Sequence, residues 1–227
     1  MRHAEKTWLT LVDRIIDEWA GITFPRPVIA LGMFEPSEGC YWCGADIQSQ
    51  FDCDCRSARL QWSRVFRLGA YEDPLSACII GGKYAAWKEM LEHLGTMLGA
   101  QVRGCVPPNT FIVPIPMPPI RRYFRRINHA GVIAKSISQA SGLPIRRVLW
   151  KKDGISQASK SAFSRKQMHR NSVLLRPLSR LKGKNILLVD DVLTTGRTLE
   201  VAASILKKGG AVSVRVAVLA VTKISNK

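Results

Sequence analysis

The chain has 227 residues, 46% of them hydrophobic, with 34 Lys and Arg against 17 Asp and Glu and a formal net charge of +17. That length allows one full hydrophobic core with a small accessory module, and the apolar content is that of a globular protein. The longest apolar tract near the C-terminus, Ala211 to Val221, is interrupted by Arg215 and too short for a membrane span, so none is expected.

The first predicted element is an amphipathic helix over residues 5–20, where Trp8, Val12, Ile15, Ile16 and Trp19 recur at helical spacing. Glu5 and Asp13 interrupt this region before an apolar core of a secretory signal could form, so a cytoplasmic location is expected. Residues 21–39, with three prolines, read as a connector. A cysteine-rich piece follows. Cys40-Tyr-Trp-Cys43 has the spacing of half a zinc knuckle, and Cys53-Asp-Cys55 offers a second pair with one intervening residue instead of two. A structural Zn2+ on Cys40, Cys43, Cys53 and Cys55 is expected, against the plainer reading of four reduced thiols in a degenerate finger. Cys78 and Cys105 lack partners at ligand spacing and are expected to be buried thiols.

Beyond the cysteines, Val65 to Tyr71 reads as a short strand and Ala85 to Leu98 as a helix with Leu91, Leu94 and Leu98 on one side. From residue 111 strands and helices alternate. Phe111 to Ile115 is a strand ended by Pro116, Pro118 and Pro119, and Ala130 to Ala140 is a helix stopped by Gly142 and Pro144. Val148 to Trp150 reads as a strand, and the polar, basic residues 151–172 as a long loop. Ile186 to Val189 is apolar on both faces, as in a buried parallel strand. A helix over Leu199 to Lys208 is closed by Gly209 and Gly210, and Val212 to Val221 alternates as one further strand. The order predicts an α/β fold with a parallel sheet flanked by helices. The expected organisation is an N-terminal helix and connector (1–39), a cysteine module (40–60) and an α/β domain (61–227).

Charge is unevenly placed. Residues 1–120 hold 11 basic against 13 acidic residues, residues 121–172 hold 13 against the single acid Asp153, and residues 173–227 hold 10 against 3. A merely basic composition would spread the excess. Its concentration after residue 120 points to a polyanionic partner, phosphates or nucleic acid, rather than a solvated basic surface.

The stretch carrying chemistry is "ILLVDDVLTTGRT", residues 186–198. Ligands in such sheets bind beyond the carboxyl ends of the strands, where Asp190 and Asp191 stand. The turn Thr194-Thr195-Gly196-Arg197-Thr198 runs into a helix, whose N-terminal amides suit a phosphate, while two carboxylates suit sugar hydroxyls or a metal. Together they describe a site for a ribose 5-phosphate. A Walker B reading needs a G-x-x-x-x-G-K-[ST] loop, and the Gly-Lys pairs at 82–83 and 183–184 are followed by Tyr and Asn. Elements of a receiver domain around a phospho-acceptor aspartate are not found. Simple capping, with Asp190 on the turn and Thr198 on the helix, does not explain a second carboxylate.

Those thirteen residues match the phosphoribosyl-pyrophosphate signature of the type I phosphoribosyltransferases. The chain further resembles the ComF branch of that superfamily, the ComFC and GntX-like group. The resemblance rests on the cysteine cluster, "GKY" at 82–84, "IVPIPMPP" at 112–119, "RRIN" at 125–128 and "SRKQMHRN" at 164–171. It covers about residues 40–222 and implies a type I phosphoribosyltransferase core with a flexible hood and a small N-terminal zinc-finger module. It implies that Asp190 and Asp191 hold the ribose hydroxyls and act catalytically, and that Thr194, Thr195, Gly196, Arg197 and Thr198 wrap the 5-phosphate. The turn after Ile115 falls where the superfamily grips pyrophosphate. Residues 151–172 correspond to the hood, with Arg165 and Arg170 as pyrophosphate ligands, and Mg2+ accompanies the substrate. The activity implied is binding of phosphoribosyl pyrophosphate and pentosyl transfer to an unidentified acceptor.

Individual residues near the motif have competing roles. Asn128 either caps the helix beginning at Ala130 or touches substrate; the family's Arg-Gly-Phe-Asn motif is altered here, with Arg126-Ile127 in place of Gly-Phe. His129 and His169 are expected to be surface or loop residues, and Lys83 and Tyr84 match a family pair without a derivable role. The alternative function is a non-catalytic nucleic-acid-binding adaptor in single-stranded DNA uptake or repair, with the DNA-uptake machinery as partner. Arg121, Arg122, Arg125 and Arg126, interleaved with Tyr123 and Phe124, suit backbone phosphates and base stacking.

Overall fold

The computed structural model describes residues 40, 43, 60–83, 87–117, 127–151 and 173–222. The segments expected as an N-terminal helix and connector, Cys53, Cys55, the arginines at 121–126, and the expected hood with Arg165, Arg170 and His169 lie outside the described residues.

Among the described residues the chain order is β1 (Val65–Phe66), β2 (Gly69–Ala70), α1 (Leu75–Gly82), α2 (Lys88–Val102), β3 (Thr110–Pro114), α3 (His129–Ser141), β4 (Leu149–Lys151), β5 (Val173–Leu175), β6 (Asn185–Val189), β7 (Val192–Leu193), α4 (Arg197–Lys208), β8 (Ser213–Ala217) and β9 (Ala220–Val221). The main sheet is parallel, in the order β1-β8-β6-β3. A bridge between Ile112 and Ile145 adds the segment after α3 at its edge. The sequence expectation of a parallel sheet flanked by helices is met, and β6 lies between β8 and β3, as its apolar run requires.

Alternation along the strands sorts side chains to two cores. Val113, Ile186, Leu188, Val214 and Val216 pack toward the side of α4, with Leu199, Ala202, Ala203 and Leu206. Ile112, Leu187, Val189 and Ala217 pack toward α1, α2 and α3, with Leu91, Leu94, Leu98, Ile133 and Ile137. Most of these side chains are fully excluded from solvent. Each such burial stabilises the fold by about 1.5–3 kcal/mol, which anchors the strand ends where the site forms.

A second small parallel sheet, β2-β9-β7, continues the same three strands beyond a common bend. Pairing is 189 with 217 before the bend and 192 with 220 after it, so no residue is inserted. Hydrogen bonds persist through it: the Asp190 amide donates to the Ala217 carbonyl at 3.2 Å and the Leu219 amide to the Asp191 carbonyl at 2.9 Å. The expectation of one strand over 212–221 is corrected to β8 and β9, separated by Val218 and Leu219. Both are fully buried apolar residues, so nothing in composition announces the bend.

Helix α1 was absent from the sequence expectation, and the helix expected over 85–98 spans 88–102. Strands β4 and β5 pair antiparallel, Leu149 with Leu175 and Lys151 with Val173. No helix among the described residues is long and apolar enough to cross a membrane.

Candidate functional site

The bend places Asp190 and Asp191 between β6 and β7, at the carboxyl end of the central strand. Each carboxylate closes a tight local turn. Asp190 Oδ1 accepts from the Asp191 amide at 3.0 Å, and Asp191 Oδ1 accepts from the Val192 amide at 2.8 Å. The capping part of the plainer reading therefore holds for Asp190, and Asp191 makes a local bond of the same kind. These bonds use one oxygen of each.

Asp191 Oδ2 faces a cation. Lys83, which ends α1, sets its Nζ 3.2 Å away, and His129 Nδ1 lies within 3.9 Å. The position of Lys83 depends on the two glycines before it. A Cβ on Gly81 would fall 1.8 Å from the Trp87 ring, and one on Gly82 would fall 2.5 Å from Leu91. Bare backbone lets the end of α1 lie against both side chains. His129 is the first residue of α3 and is 3% exposed, so the expectation of a surface or loop histidine is corrected.

The Asp190 carboxyl is pushed up to about 7, first by loss of hydration on burial and then by the charge of Asp191. The Asp191 amide, Lys83 and Lys151 pull the other way. Near neutral pH the pair therefore carries a proton on Asp190 for part of the time.

Asn128 is the N-cap of α3, with its Oδ1 accepting from the Gly131 amide at 3.2 Å. It also lines a cavity of about 270 Å3 together with Lys83, Asp190, Asp191 and Thr198. Its two sequence readings are compatible: the capping oxygen fixes the side chain beside the cavity. Ile115, Pro116 and Met117, the start of the proline-rich turn, also line the cavity, with His129, Ala130 and Lys151.

The turn into α4 is built around Gly196, the N-cap, with φ +69°. A Cβ there would be strained, and would also meet Trp62 at 3.2 Å and Leu193 at 3.3 Å. Thr198 does not cap the helix; no side chain does. The first-turn amides thus keep the anion-binding character that an N-terminal cap would consume. Thr194, Thr195, Arg197 and Thr198 are exposed. Trp62, 5% exposed, lies beneath this turn, and the Gln61 amide donates to Glu200 Oε2 at 3.2 Å, tying the start of the domain to α4. Neither contact was legible beforehand, because each joins segments more than 130 residues apart.

Cys40 and Cys43 are both buried, at 3% exposure. Cys78 is buried as expected, whereas Cys105 is exposed, in the loop after α2. The described residues contain no group of three or more His, Cys, Asp or Glu side chains placed to share a metal ion.

A family model, the phosphoribosyl transferase domain, matches residues 130–227. Competence protein F of Haemophilus influenzae is 27% identical over 190 residues, covering 78% of this chain and 82% of that protein. Competence protein ComFC of Bacillus subtilis is 26% identical over 169 residues, covering 72% and 68%. Among solved structures, the glutamine phosphoribosylpyrophosphate amidotransferase of B. subtilis aligns with a TM-score of 0.40 at 22% identity, over 56% of this chain and 25% of that enzyme. The purine phosphoribosyltransferase of Pyrococcus horikoshii aligns with a TM-score of 0.38 at 22% identity, over 58% and 73%.

Proposed function

We propose that this chain, a member of the ComF family within the phosphoribosyltransferase superfamily, binds phosphoribosyl pyrophosphate with Mg2+ at Asp190 and Asp191 and transfers phosphoribose to an acceptor. The observation that carries the reading is one cavity shared by two carboxylates, Lys83, Asn128 and the start of a helix with no side-chain cap.

The chemistry of the donors supports it. Asp190 and Asp191 accept hydrogen bonds from the ribose hydroxyls. The amides at the start of α4, with the hydroxyls of Thr194, Thr195 and Thr198, take the 5-phosphate. Arg197 adds positive charge at the same turn. Two carboxylates with hard oxygen donors fit a Mg2+ ion that shares its remaining positions with water and substrate phosphates. The ion supplies charge neutralisation on the departing pyrophosphate. Lys83 keeps Asp191 from facing Asp190 as an unscreened like charge. In the transfer, the bond from ribose C1 to the pyrophosphate oxygen breaks and the pyrophosphate leaves with the electron pair. A lone pair of the acceptor forms the new bond to C1, and the acceptor's proton passes to the pyrophosphate. Arg165 and Arg170 of the hood contribute cations to the leaving group. The cysteine module, with Cys40, Cys43, Cys53 and Cys55, holds a structural Zn2+ in this reading. Titration of the protein with phosphoribosyl pyrophosphate, with and without Mg2+, tests the core of it: saturable, Mg2+-dependent binding is expected, and no heat at millimolar ligand rejects it.

A second reading rests on charge and on the relatives. Residues 121–172 carry 13 basic residues against one acid, more than one substrate needs, and both curated relatives are competence proteins. Here the fold serves as an adaptor on single-stranded DNA, gripping phosphates through Arg121, Arg122, Arg125 and Arg126. Each phosphate neutralised on a single strand contributes about −0.7 to the slope of log affinity against log salt. Replacing Arg121 and Arg122 by Ala should flatten that slope by roughly one unit. An adaptor binds phosphoribosyl pyrophosphate without consuming it or ignores it, and pyrophosphate release separates the two readings.

A further inference from the structure

A second cavity, of about 550 Å3, adjoins the carboxylate cavity and shares Ile115, Pro116, Met117, Asn128 and Lys151 with it. Its volume lies in the ordinary range for a small-molecule site. Cations reach it from three separate stretches of chain: Lys135 on α3, Arg147 with Lys151 at the two ends of the β4 stretch, and Arg176 after β5. The carboxylate in the lining is Glu92, and Lys88 already engages it at 2.8 Å. A solvated basic face arises along one helix or one run of sequence. Convergence of like charges from distinct elements opposes folding by mutual repulsion and is relieved when an anion sits among them. The lining also holds apolar side chains, Ile115, Ile127, Val132 and Trp150, the last 36% exposed and large enough to contact a ligand body.

Resting on the phosphoribosyltransferase reading, we propose that this cleft is the acceptor subsite and that the acceptor is a small planar anion, carrying carboxylate or phosphate. The charged end is held by Lys135, Arg147 and Arg176, and the body lies against Trp150. The reacting heteroatom points past Asn128 and Lys151 toward the neighbouring cavity. There it bonds to ribose C1 as the C1–pyrophosphate bond breaks, and its proton leaves on the pyrophosphate. A neutral nucleobase or a free amine uses none of these cations.

The test is calorimetry on the full chain at low salt with three probes: isophthalate, phenyl phosphate and the uncharged isophthalamide. Both anions are expected to bind, and isophthalamide at least tenfold more weakly. Binding by one anion alone assigns the headgroup, carboxylate or phosphate. Arg147→Gln with Arg176→Gln should weaken the anions at least tenfold and leave the affinity for phosphoribosyl pyrophosphate within twofold; both side chains are exposed, so the variant should fold. Equal binding of isophthalamide overturns the proposal. So does a matching loss of phosphoribosyl-pyrophosphate affinity in the variant, which would make the cleft a pyrophosphate subsite. An oligonucleotide that displaces isophthalate at lower concentration than the small anions do assigns the cleft to a polymer and also overturns it. Phosphoribosyl pyrophosphate binding without anion binding removes the cleft alone. Anion binding without phosphoribosyl pyrophosphate binding removes the transferase reading and the acceptor role with it.

Discussion

Protonation of Asp190 makes ligand binding depend on pH in a defined direction. With its carboxyl pushed up to about 7, free protein at pH 6 holds the proton on about nine molecules in ten, and at pH 8 on about one in ten. Ribose hydroxyls donate to the ionised carboxylate and Mg2+ requires it, so bound ligand favours the deprotonated form. Affinity for Mg2+-phosphoribosyl pyrophosphate should rise about tenfold from pH 6 to pH 8, or about 1.4 kcal/mol. Binding near pH 6.5 should release a proton, seen as a dependence of the calorimetric heat on the buffer's ionisation enthalpy. The ligand's own phosphates also titrate in this range, and Asp190→Asn isolates the protein's share. The variant should bind more weakly at pH 8 and lose most of the pH dependence. A wild-type profile as flat as the variant's, or a tenfold rise that survives in Asp190→Asn, refutes the reasoning.

Three further outcomes follow from named contacts. Lys83 lowers the Asp190 carboxyl, so Lys83→Met should move the midpoint of the binding profile to higher pH, and Lys83→Arg should restore it; an unmoved midpoint argues against the contact. Gly196→Ala places a Cβ at φ +69° against Trp62, and should cost about 1–2 kcal/mol of stability, or about 2–8 °C in Tm, with weaker phosphate binding; a Tm unchanged within a degree would contradict this. Elemental analysis should give about one zinc per chain, and a folded protein with less than a tenth of that rejects the cysteine site.

What could be read beforehand was local. Four apolar residues ending in two aspartates identified the central strand and the carboxylates, because a buried parallel strand and its ligand-facing end have strong one-dimensional signatures. The helix α3 was legible from Asn128 and Gly142, which do cap it at either end. What escaped was non-local. Lys83 meets Asp191 only because α1 packs against Trp87 and Leu91, and Trp62 lies beneath Gly196 through the pairing of the first strand with β8. His129 looked like a surface residue because a single histidine has no periodic signal; its burial comes with its place at the start of α3, beside Asp191. The bend between β8 and β9 also left no trace, since Val218 and Leu219 are as apolar as the strands they separate.

The central claim is that the two aspartates form a phosphoribosyl-pyrophosphate site, and a calorimetric comparison of wild type with the Asp190→Asn, Asp191→Asn double variant at pH 8 in Mg2+ tests it most directly. Asn keeps the size of each side chain and its turn hydrogen bond while removing the charge. Charge-assisted hydrogen bonds are worth roughly 1.5–3 kcal/mol, so affinity should fall at least tenfold while the protein stays folded. Equal affinity in the two proteins would contradict the account.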